Sequence, residues 1–322
     1  MNRSELKLVE LSDIAKAQKI IAGYVHKTPI ISSTALGNRT GVNLYFKAEV
    51  FQKTGSFKPR GALNKLHSLT DKEKKRGVIT VSSGNHAQGL AYASSMLGIS
   101  ATVVMPEATP ENKVNATKGY GAEVILHGRV EDLMDKCLEV QKERNLTMVH
   151  PFDDPLIIAG QGTIGLEILE DFPEVEWVFV PVGGGGLISG ISTAIKLKKT
   201  DVKIIGVEPT GAAAMLQSVQ QNAVVHLDKV DAIAEGLGAP FVGEYTLAHV
   251  KRYVDDLVLV SDKEIIRALR LILERCKILT EPAGAAGFAA LLFKKVDVPN
   301  GAQVVCVLSG GNIDLKRLKN FL

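Results

Sequence analysis

Cysteine is scarce in this chain of 322 residues: Cys137, Cys276 and Cys306 stand far apart, form no CxxC pair and lie in apolar segments. That pattern predicts neither a disulfide nor a zinc site, and it fits buried thiols in a reducing compartment. An excess of either charge is also missing, since 38 Lys and Arg face 35 Asp and Glu for a net charge of +3. A balance this mild predicts no nucleic-acid or membrane partner and leaves a small molecule as the default ligand. No uninterrupted apolar run approaches the ~18 residues of a membrane span. The N-terminal MNRSELKLVELSDIAKAQKII alternates charged and apolar residues where a signal peptide would be continuously apolar. A soluble, cytoplasmic protein beginning with an amphipathic surface helix is expected. Low-complexity linkers and repeats of solenoid period are absent too, so two lobes packed together are expected of a chain this long.

What the sequence does contain is an alternation of short β-branched runs with longer amphipathic stretches, the signature of βαβ units around parallel sheets. VITV (78–81), ATVVM (101–105) and EVIL (123–126) each lead into a helical pattern, and together they predict a small lobe ending near Asn145. WVFVPV (177–182), KIIGV (203–207) and QVVCVL (303–308) predict a second parallel sheet. Thr70 with Glu73, and Ser261 with Glu264, each fit a capping box that opens a helix.

Three of these strands end in small, glycine-bearing turns: VSSGNH (81–86), VGGGGL (182–187) and LSGGN (308–312). Ligands of open α/β sheets bind beyond the carboxyl ends of the strands, so the three turns predict one shared crevice. Four consecutive glycines before a helix expose backbone N–H groups at its positive end, a cradle for phosphate. A tight turn alone seldom needs four glycines. The nucleotide fingerprints fail here: Ile188 stands where G-x-G-x-x-G needs its third glycine, and no GK[ST] follows, although Glu208 does close the next strand. A phosphate carried by another cofactor is the better reading. QKTGSFKPRGA (52–62) places Lys58 between two glycines and beside Phe57, with Pro59 able to open a helix behind it.

SFKPRGA, SSGNHAQG, GGGGL and SGGN occur in the order and spacing of the pyridoxal-phosphate enzymes of the tryptophan-synthase-β fold (fold type II), and the chain resembles the threonine dehydratase and serine racemase group over nearly all its length. The resemblance implies two open, twisted, mostly parallel sheets with helices on both faces. It implies a large domain of residues 1–70 and 150–322, a small domain of 77–149, and the cofactor between them. It further implies that Lys58 carries pyridoxal 5'-phosphate covalently, that Gly183, Gly184, Gly185, Gly186 and Leu187 hold its phosphate beside Phe57, that Asn85 bonds the ring hydroxyl, and that Ser309 faces the ring nitrogen. Ser82, Ser83, Asn85 and His86 would grip the substrate carboxylate, although Ser82 or Ser83 could equally cap a helix; His86 as an acid or base is the weaker assignment. Glu235 and Glu281 would line the pocket near the cofactor.

The activity so implied is conversion of L-threonine to 2-oxobutanoate and of L-serine to pyruvate, with release of ammonia. Serine racemase is the alternative, with Ser83 as its second proton carrier. Phe152 stands where racemases tend to have asparagine, which favours the dehydratase. The cation site of the racemase-like proteins maps to Glu208 and Ala212, with Ala214 replacing the aspartate. That loss argues against bound magnesium or calcium and leaves a weaker or monovalent site open. A homodimer or homotetramer without the appended regulatory domain of biosynthetic dehydratases is expected. A nicotinamide oxidoreductase and a non-catalytic relative are the other classes in view, weakened by the failed Rossmann pattern and by the presence of Lys58, Asn85 and Ser309.

Overall fold

Valine and isoleucine dominate the strand-forming runs because strands flanked by helices are buried on both faces. A computed structural model describes residues 6–322; Met1 to Glu5, with which the expected N-terminal helix was to begin, lie outside them. The strands are β1 (Ile30–Ser32), β2 (Asn43–Ala48), β3 (Val78–Val81), β4 (Ala101–Met105), β5 (Glu123–Leu126), β6 (Thr147–Met148), β7 (Trp177–Pro181), β8 (Lys203–Pro209), β9 (Asp256–Val260) and β10 (Gln303–Leu308). They form a six-stranded sheet in the order β1-β2-β10-β7-β8-β9 and a four-stranded sheet in the order β5-β4-β3-β6. Every pairing is parallel except β1 with β2. The architecture is thus α/β with two mostly parallel sheets and helices packed against them. The sequence pattern did not reveal β1, β2, β6 and β9: β1 and β6 are only three and two residues long, β2 carries the buried Lys47 inside the sheet, and β9 is an edge strand.

Both capping boxes form. Thr70 Oγ1 accepts from the Glu73 N–H and Ser261 Oγ from the Glu264 N–H, while each glutamate reaches back to its cap's N–H at 2.7 Å. The helix Leu11–Ile21 is amphipathic but not superficial: Ile14, Ala17 and Ile21 are buried. Cys137 and Cys306 are buried free thiols, whereas Cys276 is only half-buried, with its Sγ 3.4 Å from Ser33 Oγ.

The helix Pro155–Asp171 runs through the centre of the molecule, capped by Asp154 Oδ1 on the Leu156 N–H at 2.8 Å. Its small residues let neighbouring backbones come very close. A Cβ on Gly160 would lie 2.5 Å from the Arg60 carbonyl oxygen, and one on Gly190 would lie 2.4 Å from the Gly162 nitrogen. The helices Lys58–His67 and Gly186–Lys196, which carry the lysine and follow the glycine turn, are therefore both seated on one central rod.

Candidate active site

Lys58 is placed by a short backbone zipper before its helix begins. Ser56 bridges Gly310, the Phe57 N–H donates to the Ser309 carbonyl at 3.2 Å, and the Gly311 N–H donates to the Gly55 carbonyl at 2.9 Å. Gly55 must be glycine, since its φ is +70° and a Cβ would sit 2.6 Å from Asn312 Oδ1. The loop bearing the lysine is thereby stitched to the turn after β10.

The cavity between the two sheets has a volume of about 330 Å³. Lys58, Phe57, the Ser82–His86 turn, the Gly183–Leu187 turn, Ser309 and Glu235 all line it, so the three strand-end turns meet as the sequence pattern implies. Lys58 Nζ donates to the Pro151 carbonyl at 2.8 Å and lies 5.0 Å from the centre of the Phe57 ring. Burial lowers its pKa to about 8. A Cβ on Gly89 would lie 2.8 Å from Lys58 Cβ, so the helix Asn85–Leu97 abuts the lysine stem directly.

The glycine turn is equally constrained. A Cβ on Gly184 would fall 2.3 Å from the Phe152 ring, and one on Gly185, whose φ is +94°, 2.4 Å from Met215 Cε. Among the described residues, the N–H groups of Gly183 to Leu187 donate to no protein acceptor. Asn85 is held at both ends of its amide: Nδ2 donates to Glu281 Oε1 at 2.6 Å, and Oδ1 accepts from Asn312 Nδ2 at 2.8 Å. Burial pushes the Glu281 carboxyl up to about 7. Ser309 is buried against the cavity. A free amine of depressed pKa, unpaired N–H groups at a helix start and an anchored amide across the cavity fit pyridoxal phosphate, which presents an aldehyde, a phosphate and a ring hydroxyl.

Other expected residues behave differently. His86 is buried with Nε2 3.4 Å from the Val149 carbonyl, and burial, followed by the nearby Lys58 charge, holds its pKa well below the usual imidazole value. It is a neutral, packed imidazole. Glu235 sits at the exposed rim, where Lys113 Nζ binds its Oε2 at 2.5 Å and Arg317 Nη1 binds its Oε1, so its charge is met by protein groups. Glu208 lies outside the cavity lining, and its two oxygens accept from the N–H groups of Met215 and Leu216 at 2.8 Å each, capping the helix that begins at Ala214. Among the described residues no three His, Cys, Asp or Glu side chains cluster as metal ligands. Residue reasoning missed Pro151, Gly89, Asn312 and Lys113. Gly89 and Asn312 lie inside the quoted motifs and Pro151 next to Phe152, and only the folded chain reveals that they touch the site.

The family description "Pyridoxal-phosphate dependent enzyme" matches residues 21–310. An L-threonine ammonia-lyase of Thermotoga maritima is 45% identical over 316 residues, covering 98% of this chain and 78% of its own. A catabolic L-threonine dehydratase, TdcB, of Staphylococcus aureus is 46% identical over 319 residues, covering 98% and 92%. The solved structure of maize serine racemase superposes with a TM-score of 0.93 at 39% identity, covering 98% of this chain and 97% of that one.

Proposed function

Because the chain belongs to the pyridoxal-phosphate dependent enzymes, we propose that it is a carbon–oxygen lyase of the threonine ammonia-lyase type, converting L-threonine to 2-oxobutanoate and L-serine to pyruvate with release of ammonia. The reaction class is carried by the buried Lys58 amine facing the four-glycine turn across one cavity. The substrate class rests on the likeness to proteins named for threonine at 45–46% identity over nearly the whole chain.

When bound, the cofactor supplies an electron sink that makes a Cα proton removable. The protein's own groups do the rest. A neutral Lys58 amine is the base for that proton, and the Pro151 carbonyl, as acceptor of an Nζ–H, would turn the lone pair toward the cavity. Backbone N–H groups at the start of the helix Asn85–Leu97, with Ser82 and Ser83, would hold the substrate carboxylate. Gly183 to Leu187 would hold the phosphate, Asn85 the ring hydroxyl and Ser309 the ring nitrogen. A neutral serine would not keep that nitrogen protonated, which would favour early loss of the β-hydroxyl, leaving as water with the proton that Lys58 has taken from Cα. The released enamine then tautomerises, and its imine takes up water to yield the 2-oxo acid and ammonia. In this reading 77–149 form a small domain facing a large domain of 1–70 and 150–322.

Borohydride reduction followed by mass spectrometry should find the cofactor on Lys58, and uptake of pyridoxal phosphate should rise with pH around a midpoint near 8 as the amine loses its proton. Lys58→Ala should lower kcat by about 10²–10⁴-fold. Measuring 2-oxo acid and D-amino acid together from L-threonine and L-serine separates the lyase from the racemase. D-serine forming faster than pyruvate would overturn the lyase reading.

A further inference from the structure

Directly behind the lysine lies a cluster of buried charge. Arg60, Lys47 and Glu49 are each 0% exposed and Glu167 is 5% exposed. Arg60 forks onto two carboxylates at once. Nε and Nη2 donate to Glu49 at 2.8 Å each, while Nη1 and Nη2 donate to Glu167 at 2.6 and 2.9 Å. Nη1 also reaches Thr163 Oγ1 at 3.1 Å and Nη2 the His26 carbonyl at 3.2 Å. Lys47 Nζ completes the set on Glu167 at 2.6 Å and on the Thr28 carbonyl at 2.7 Å. Burial disfavours these charges, but the two carboxylates raise the Arg60 pKa and Arg60 lowers that of Glu49, so both remain ionised.

A neutral buried cluster of this kind adds little stability over packed apolar side chains, because desolvation offsets the attraction between its members. What apolar side chains cannot supply is orientation, and paired forks fix a guanidinium in rotation as well as position. Arg60 follows Lys58 by two residues, roughly 200° round the same helical turn. The front of that turn offers the amine to the cavity while its back is gripped from the segment Glu49–Phe51 and from the helix Pro155–Asp171. Gly89 presses on one side of the turn and Gly160 on another.

We propose that Arg60 is a positioning residue: its forks to Glu49 and Glu167 hold the first turn of the helix Lys58–His67 at the rotation that aims the Lys58 amine at the cofactor. This rests on Lys58 being the lysine that takes up the cofactor. Arg60→Lys keeps the charge and removes the forks. Glu49→Asp keeps every charge, shortens one fork, and decides the matter should the first variant not fold. Leu269→Ala, in the buried face of the helix Asp262–Cys276, serves as a destabilised control.

The expected result is native far-ultraviolet circular dichroism and an altered visible circular dichroism of the bound cofactor in the holoenzyme. After the cofactor is stripped, covalent recapture of added pyridoxal 5'-phosphate should slow about 10- to 100-fold, with kcat falling alongside and KM for threonine moving less than about threefold. Leu269→Ala should lose thermal stability and recapture at the wild-type rate. The proposal is overturned if the folded fork variants recapture within about twofold of wild type, or if the control slows as much as they do at equal melting temperature. Adduct found on another lysine in the wild-type protein would instead remove the premise about Lys58.

Discussion

At the residue scale the site depends on groups whose pKa values burial shifts toward the neutral form. Lys58 at about 8 and Glu281 at about 7 are both moved toward neutrality by the loss of water around them. For Glu281 the folded value lies above its ordinary 4.5, so the folded chain binds a proton that the unfolded chain has already released between those two values. The resulting stability is fully present below pH 4.5 and is lost as the pH rises through about 7, a swing on the order of 3 kcal/mol. Glu281→Gln, which stays neutral and can still accept from Asn85, should flatten the pH dependence of the urea midpoint over that window in the cofactor-free protein. Glu208, also pushed to about 7, should leave a residual slope. The lysine was conspicuous in the sequence because glycine, phenylalanine and proline surround it. The carboxyl at 281 was expected in the pocket by resemblance, but its protonation was not legible, since that follows from burial under Gly310 and Gly236, far away along the chain.

At the element scale the decisive feature is how closely three helices approach. The central helix Pro155–Asp171 offers Gly160 to the Lys58 helix and Gly162 to the helix after the glycine turn. Gly160→Ala would place a methyl 2.5 Å from the Arg60 carbonyl and 2.6 Å from Gly61 Cα, both backbone atoms that no rotamer change can clear. The expected cost is about 1–3 kcal/mol from overpacking. It should be accompanied by weaker cofactor retention, measured by equilibrium dialysis, because the shift is delivered to the turn bearing Lys58. Helix starts marked by Thr70 and Ser261 were legible, since a capping box is a local device closed within four residues. The reason for glycine at 89 and 160 was not, because each serves a neighbour from another helix.

At the scale of the whole molecule the cavity lies between two sheets, and one ion-pair set crosses its mouth. Lys113, on the helix Glu111–Gly119 beside the four-stranded sheet, and Arg317, on the final helix, both hold Glu235. The Glu235 side chain is 54% exposed, so each pair is worth at most about 1 kcal/mol and can open readily. Glu235→Gln should leave the melting temperature nearly unchanged and speed hydrogen exchange in residues 111–119 but not in the helix Asp262–Cys276. Equal exchange in both proteins would show that the pairs do not restrain that helix. Glu235 was expected among the substrate-binding residues; the folded chain pairs it with two cations at the rim.

Local chemistry determined much by sequence alone. Parallel strands buried on both faces show as continuous β-branched runs, capping boxes span four residues, and glycine turns at strand ends announce a phosphate-sized cradle, so the α/β class and the meeting of three strand-end turns at one cavity could be read directly, whereas the role of each site residue came from the family resemblance. The folded arrangement alone decided which of these groups meet and what charge they carry. Pro151 under the Lys58 amine, Asn312 holding Asn85, Glu208 spent as a helix cap, and Arg60 forked between Glu49 and Glu167 all join residues distant in the chain or facing away from the cavity. Contacts of this kind leave no periodic trace in a sequence. They depend on interhelical distances set by single missing Cβ atoms and on the exclusion of water, both of which exist only once the sheets and helices have packed.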